Sequence, residues 1–169
     1  TAGRLVPLKD HRTLLKAFAL ISKKFPSQLV VLGQGPEREK LEKLCALLKI
    51  SDQVKWRGWV ENPFCEMVNH HLFVYTSTFE GFGNVLVEAM ACGLPIISTD
   101  CPTGPREILD RGKYGMLVDV GNPEQIAEKV ELLWKNKDAR REFSRLSKER
   151  ANMFDVSKIA DKYLDVLGQ

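Results

Sequence analysis

Phe79-Glu80-Gly81-Phe82-Gly83-Asn84-Val85-Leu86-Val87-Glu88-Ala89-Met90-Ala91-Cys92-Gly93 is the stretch that decides how this chain folds. The β-branched and aromatic run before it, residues 72–76, reads as a strand, and residues 85–92 read as a helix. That helix is apolar on nearly every side, which predicts burial. Glu88 is its one charge. A carboxylate buried without a partner is costly, so Glu88 needs one. Seven residues separate it from Glu80, which stands where the strand hands over to the helix. Gly81 and Gly83 leave room for a ligand to approach the N–H groups of the helix start, a place that favours anions. An anion with a polyol attached suits this arrangement.

Outward from that stretch, strand and helix alternate almost throughout. Helical spacing marks residues 14–25, 36–48 and 63–68, and closing helices at 126–134, 139–148 and 159–167. Short apolar runs at 28–32, 54–57, 95–98 and 116–118 read as buried strands. The pattern predicts an α/β layered fold with a parallel sheet. Residues 1–5 look like the tail of a strand cut short, as expected of a piece of a longer polypeptide.

Bulk composition narrows the function classes. A chain of 169 residues can bury a real core, and 44% apolar with 28% charged residues is ordinary for a globular domain. A net charge of +3 is too small to indicate nucleic-acid binding. No apolar run is long enough to span a bilayer. Cys45, Cys65, Cys92 and Cys101 show no CxxC spacing and read as free thiols of a reducing compartment. His11, His70 and His71 do not make up a metal-ligand cluster.

In open parallel sheets, ligands bind outside the carboxyl ends of the strands. The loops expected there carry Arg4 and Lys9, then Gly33-Gln34-Gly35-Pro36, Gly58-Trp59-Val60, residues 80–84, and residues 99–107. Glycine, charge and helix starts thus fall on one rim. Each residue keeps two readings. Arg4 and Lys9 are solvated surface charges, or they neutralise a diphosphate, Arg as a fork and Lys as a point charge. Gly33-Gln34-Gly35 is a tight strand-to-helix turn, or two-thirds of a dinucleotide fingerprint whose third glycine is replaced by Arg38. Glu88 caps or pairs in the core, or accepts from vicinal ribose hydroxyls. Glu80 is an exposed turn residue, or it touches a sugar or phosphate. Trp56, Trp59 and Trp134 read as packing residues.

With Ala89-Met90-Ala91-Cys92-Gly93-Leu94-Pro95 behind it, the run from Glu80 to Glu88 resembles the E-x7-E signature of retaining glycosyltransferases of family 4, which have the two-domain GT-B architecture. Gly3-Arg4-Leu5 followed by Lys9 is similar to that family's opening of the donor domain. Leu32-Gly33-Gln34-Gly35-Pro36 and residues 54–58 look like its usual segments, and residues 99–109 resemble those of transferases that build lipid-linked or surface glycans. The resemblance covers essentially the whole chain. It implies a Rossmann-like three-layer αβα domain with a parallel sheet, one half of a GT-B enzyme. Residues 1–169 would be a single nucleotide-sugar-binding domain, the C-terminal one, without its N-terminal acceptor domain.

Carried onto this sequence, the resemblance implies that Arg4 and Lys9 hold the diphosphate and Glu80 contacts the donor sugar. The N–H groups around Phe82, Gly83 and Asn84 meet the sugar and distal phosphate. Glu88 binds the ribose, and the backbone near Trp59 and Val60 reads the base. Gly3, Gly35, Gly81 and Val85 complete the substrate-binding set. The implied reaction is glycosyl transfer with retention, from a UDP-linked sugar to a glycan or lipid-linked acceptor. No metal, other cofactor or nucleic acid is expected. The full-length enzyme is expected in the cytoplasm, with peripheral contact at the inner face of the membrane, and this half alone is expected to bind donor but transfer little. Two other readings remain: a nucleotide-binding module that regulates or scaffolds without chemistry, and a nicotinamide-dependent enzyme. The missing third glycine and the lack of a hydride-site acid or base weigh against the latter.

Overall fold

The computed structural model describes residues 1–168. A 3-10 turn, Pro7–Lys9, leads into α1 (His11–Ser22). Then follow β1 (Leu29–Leu32), α2 (Arg38–Leu48), β2 (Val54–Gly58), α3 (Pro63–Met67), β3 (Phe73–Tyr75) and α4 (Asn84–Ala91). The remainder is β4 (Ile96–Thr99), α5 (Pro105–Ile108), β5 (Met116–Val118), α6 (Pro123–Lys135), α7 (Lys137–Ala151) and α8 (Val156–Leu167).

Every strand pair is parallel, as the alternating pattern predicts, but the strands form two sheets. One has the order β1-β2 and the other β3-β4-β5. Residues 1–5 add only a parallel bridge from Ala2 to Leu32, so no strand joins β1 to β3 among the described residues. Periodicity marks strands without saying which edges meet.

Period-two alternation sorts the side chains into layers. Phe73, Tyr75 and Ile96 pack with Leu86, Met90 and Ile108 on one face, where α4 and α7 lie. Ile97 and Val118 pack with Ala17, Ile126 and Leu133 of α1 and α6 on the other. Leu29, Val31 and Val54 bury Leu14, Phe18 and Leu41 of α1 and α2. This is the three-layer αβα arrangement.

α1 begins three residues earlier than its apolar spacing predicts, because Asp10 caps it. Asp10 takes a left-handed φ of 42°, and its carboxylate accepts from the N–H of Thr13 at 3.2 Å and from its hydroxyl at 2.6 Å. α2 starts at Arg38 rather than Pro36, since residues 36–37 form a turn. The tryptophans divide. Trp134 stacks flat on Phe25 with centroids 4.7 Å apart, and the Arg38 guanidinium lies 4.4 Å from the Trp56 ring. Trp59 does not pack as expected: it is 70% exposed on the loop after β2.

Candidate nucleotide-sugar site

Each of the strands β1 to β4 ends at the same rim, and backbone bonds stitch the rim's loops together. The Gly33 N–H donates to the Gly58 carbonyl at 2.6 Å. The Leu5 N–H donates to Gln34 and the Glu37 N–H to Leu5, both at 3.0 Å. A Cβ on Gly35 would stand 2.5 Å from the Leu5 carbonyl oxygen, so close packing of two loops already accounts for this glycine. The turn bearing Lys9 is tied to the end of β3: Thr78 N–H donates to the Leu8 carbonyl and Thr76 Oγ1 to the Lys9 carbonyl, both at 2.9 Å. Lys9 is thereby fixed over the loop that carries Glu80.

The two glutamates differ in burial. Glu80, read either as an exposed turn residue or as a sugar or phosphate contact, is only 9% exposed, which overturns the first reading. Its Oε1 accepts from Lys9 Nζ, from the Tyr75 hydroxyl at 2.5 Å and from Ser77 Oγ. Lys9 also donates to the Tyr75 oxygen at 2.6 Å. Burial pushes the Glu80 carboxyl up, but the hydrogen bonds from Lys9, Ser77 and Tyr75 and the Lys9 charge outweigh it, so the group stays ionised below the usual carboxylate range. Burial, then the bond to Glu80, pushes the Tyr75 phenol up, which keeps it a donor.

Glu88, expected to be buried and in need of a partner, is half-exposed and has none among the described residues. The reason is position. α4 buries Leu86, Ala89 and Met90 but stands at the rim, leaving Val85, Val87 and Glu88 partly open. Glu88 borders a groove of about 680 Å³ with Phe82, Asn84, Glu107 and, from α8, Ile159 and Tyr163.

Between the glutamates, Gly83 takes a φ of 95° and turns the chain into α4. Having no side chain, it leaves the helix start without a cap. Asn84 is the first helical residue and is exposed, as is Gly81. Thr103 Oγ1 donates to the Glu80 carbonyl, so the loop after β4 clamps the loop after β3. Arg4 is exposed and has no hydrogen-bond or ion-pair partner among the described residues, while Gly3 lies against the Lys9 stem. Trp59 and Val60 stand at the outer end of the rim, after β2. No three His, Cys, Asp or Glu side chains converge among the described residues.

The structure thus brings Lys9, Glu80 and Gly83 together and puts Arg4, Trp59 and Glu88 around them on the same edge. Sequence reasoning missed Tyr75, Ser77 and Thr103. A signal existed for Tyr75: it shares the core-facing phase of Phe73, and a buried tyrosine needs a partner for its hydroxyl.

A mostly parallel α/β domain with an acid, a lysine and an uncapped helix start at its carboxyl rim can be compared with known proteins. Residues 1–150 match the family described as glycosyl transferases group 1. The chain belongs to that family. It is 33% identical over 167 residues to the N-acetylgalactosamine-N,N'-diacetylbacillosaminyl-diphospho-undecaprenol 4-alpha-N-acetylgalactosaminyltransferase of Campylobacter jejuni, covering 99% of this chain and 45% of that protein. Among solved structures it superimposes on TarM of S. aureus, seen with UDP, at a TM-score of 0.90 and 25% identity, covering 99% of this chain and 34% of TarM. Anabaena HepE with UDP gives the same TM-score and identity over 98% of this chain and 47% of HepE. These are GT-B glycosyltransferases, so the domain has the fold of one GT-B half. The chain spans less than half the length of each. No described helix is long and apolar enough to cross a membrane.

Proposed function

We propose that this chain is the donor-binding half of a retaining glycosyltransferase, and that its rim holds a sugar joined to UDP. One observation carries the reading: a buried, ionised Glu80 paired with Lys9 beside the uncapped start of α4. That constellation offers fixed positive charge and backbone donors to a pyrophosphate, and a carboxylate to hydroxyls next to it. The presence of UDP in TarM and HepE supports the choice of nucleotide.

In this reading Lys9, Arg4 and the N–H groups around Phe82, Gly83, Asn84 and Val85 hold the diphosphate. Gly3 and Gly81 leave space for it, and Gly35 sets the floor by packing on Leu5. Glu80 accepts from the donor sugar and Glu88 from the ribose, while the backbone at Trp59 and Val60 meets the base. The glycosidic C–O bond to the diphosphate breaks, the acceptor hydroxyl oxygen forms its bond to the same carbon on the same face, and the hydroxyl proton passes to the departing phosphate oxygen. The negative charge of the departing diphosphate is met by Lys9, Arg4 and the helix start. Glu80 is not the nucleophile of a double displacement: its Oε1 is already saturated by three donors, which suits a positioned acceptor of hydrogen bonds. The acceptor, a glycan or lipid-linked sugar, is bound by a second domain, and the assembled enzyme works at the cytoplasmic face of the membrane.

Calorimetry of the 169-residue chain with UDP, GDP and ADP tests donor binding. UDP should bind more tightly than the other two. No heat from any of them counts against the reading. In the full-length enzyme, Glu80→Ala should retain UDP binding and lose transfer. Unchanged transfer would remove Glu80 from the reacting centre, whereas a full-length protein that binds UDP without transferring, with its biological role unchanged by Glu80→Ala, would favour a non-catalytic nucleotide-binding module.

A further inference from the structure

Charge is unevenly divided along the chain. Residues 1–36 hold six cations, Arg4, Lys9, Arg12, Lys16, Lys23 and Lys24, and one acid, Asp10, whereas the rest of the chain holds 19 cations and 21 acids. The fold keeps this imbalance together. Asp10 is engaged in capping α1, Lys9 is bound to Glu80, and Lys24 pairs with Glu131. The side chains of Arg4, Arg12, Lys16 and Lys23 have no hydrogen-bond or ion-pair partner among the described residues.

Three of these four belong to α1 and its carboxyl end. At 3.6 residues per turn, Arg12, Lys16 and Lys23 fall within about 40° of one another around the helix and span about 16 Å along it. All three are exposed, and the helix has no acid of its own. Its opposite side carries Leu14, Phe18 and Ile21 into the core. The other surface helices are laced with both signs: Arg38 with Glu42 and Lys43 with Glu39 on α2, Arg145 with Glu142 and Glu149 on α7. Such pairs stabilise a solvated helix, whereas Arg12 and Lys16, four residues apart, repel each other. The line therefore costs the isolated fold stability, which points to an anion outside it.

At the rim end of this line stand two apolar side chains that join none of the three core clusters. Leu8 is 45% exposed in the turn before α1, and Phe79 is 50% exposed beside Glu80. Their segments are tied together, since the Thr78 N–H and hydroxyl donate to the Leu8 carbonyl at 2.9 and 3.2 Å. A lone exposed leucine is ordinary. An apolar pair at the end of an uncompensated cationic line combines charge attraction with shallow insertion, the two forces that hold proteins on anionic bilayers. A soluble polyanion would use the cations and leave the apolar tip idle.

We infer that the α1 side of this domain is a membrane-facing surface: Arg12, Lys16 and Lys23 lie against the headgroups of an anionic lipid bilayer, and Leu8 and Phe79 enter its interface next to Glu80. The donor rim is then held edge-on to the lipid, where an acceptor sugar carried by a lipid can meet it. That use of the surface rests on the donor-half reading, but the contact itself needs neither nucleotide nor acceptor.

The test is co-sedimentation of the 169-residue chain with vesicles of phosphatidylcholine, alone or with phosphatidylglycerol. The chain should bind the anionic vesicles, leave them at high salt and ignore the neutral ones. Arg12→Glu/Lys16→Glu/Lys23→Glu should weaken binding on the order of 100-fold, and Leu8→Ser/Phe79→Ser roughly 10-fold. An equal charge reversal elsewhere, Lys135→Glu/Lys137→Glu/Arg141→Glu, should weaken it only a few-fold. The α1 variant should bind UDP as the parent does. A parent that takes no UDP but binds vesicles through α1 contradicts the donor reading alone. Equal loss in the control variant, equal binding to neutral vesicles, or a chain that ignores anionic vesicles, whether or not it captures soluble polyphosphate, overturns the membrane-facing assignment.

Discussion

Glu80 sits on the loop after β3 with one carboxylate oxygen taking hydrogen bonds from Lys9, Tyr75 and Ser77, whereas Glu88, in the second turn of α4, is half-exposed and has no partner among the described residues. The two belong to one motif, and their spacing puts both on one rim. Their surroundings assign them different work. A carboxylate whose position is fixed before a ligand arrives contributes most at the reacting centre, where small displacements matter. A carboxylate without partners is free to accept from a ligand's hydroxyls, and its contribution is to binding.

The comparison breaks if the two glutamates respond alike to substitution. In the full-length enzyme, Glu80→Gln should lower kcat by at least about 100-fold while UDP affinity changes little. A kcat within a few-fold of the parent, with KM raised instead, would reverse the assignment. Glu88→Gln should weaken UDP binding by roughly 10-fold, the scale of a hydrogen bond to a charged group, and leave kcat nearly unchanged. Calorimetry and steady-state kinetics on the same variant separate the two effects.

Tyr75→Phe sharpens the contrast by removing one of Glu80's three donors without touching Glu88. Transfer should fall a few-fold, roughly the worth of one hydrogen bond, and the acid limb of the pH–rate profile should move to higher pH, because the Tyr75 hydroxyl helps hold the Glu80 carboxyl low. A loss of rate with an unmoved acid limb would make Tyr75 a packing residue only.

The smallest effect is on stability. The folded pKa of Glu80 lies below its unfolded value, so its contribution is fully present above the unfolded pKa of about 4.3 and is lost as pH falls through the folded value. Urea denaturation between pH 7 and pH 3 should show a shallower acid-side loss for Glu80→Gln than for the parent. An identical slope would mean that the Lys9–Glu80 pair is no tighter in the fold than in the unfolded chain.

Much of this was legible in the sequence. The strand, turn and helix around Glu80 could be read because period two gives way to helical spacing at a pair of glycines, and the rim followed from the strand order along the chain. Glu88 is more open than its apolar helix predicts, because α4 lies at an edge and leaves one side to a groove beneath α8. Tyr75 and Ser77 passed as strand and loop residues, since their convergence on one oxygen is a matter of three dimensions. Trp59 looked like core by residue type, and only its place on the loop after β2 exposes it. The split sheet was hidden for a related reason: the pattern marks where strands are, and the pairing of their edges depends on long-range contacts.

The most direct test is a two-dimensional amide NMR titration of the chain with UDP-glucose. The account predicts the largest shifts at Gly3, Lys9, Phe82, Gly83, Asn84 and Glu88, with small ones on the opposite ends of the strands. Shifts confined to the cavity around Phe18, Val30 and Val74, or none at saturating ligand, would contradict it.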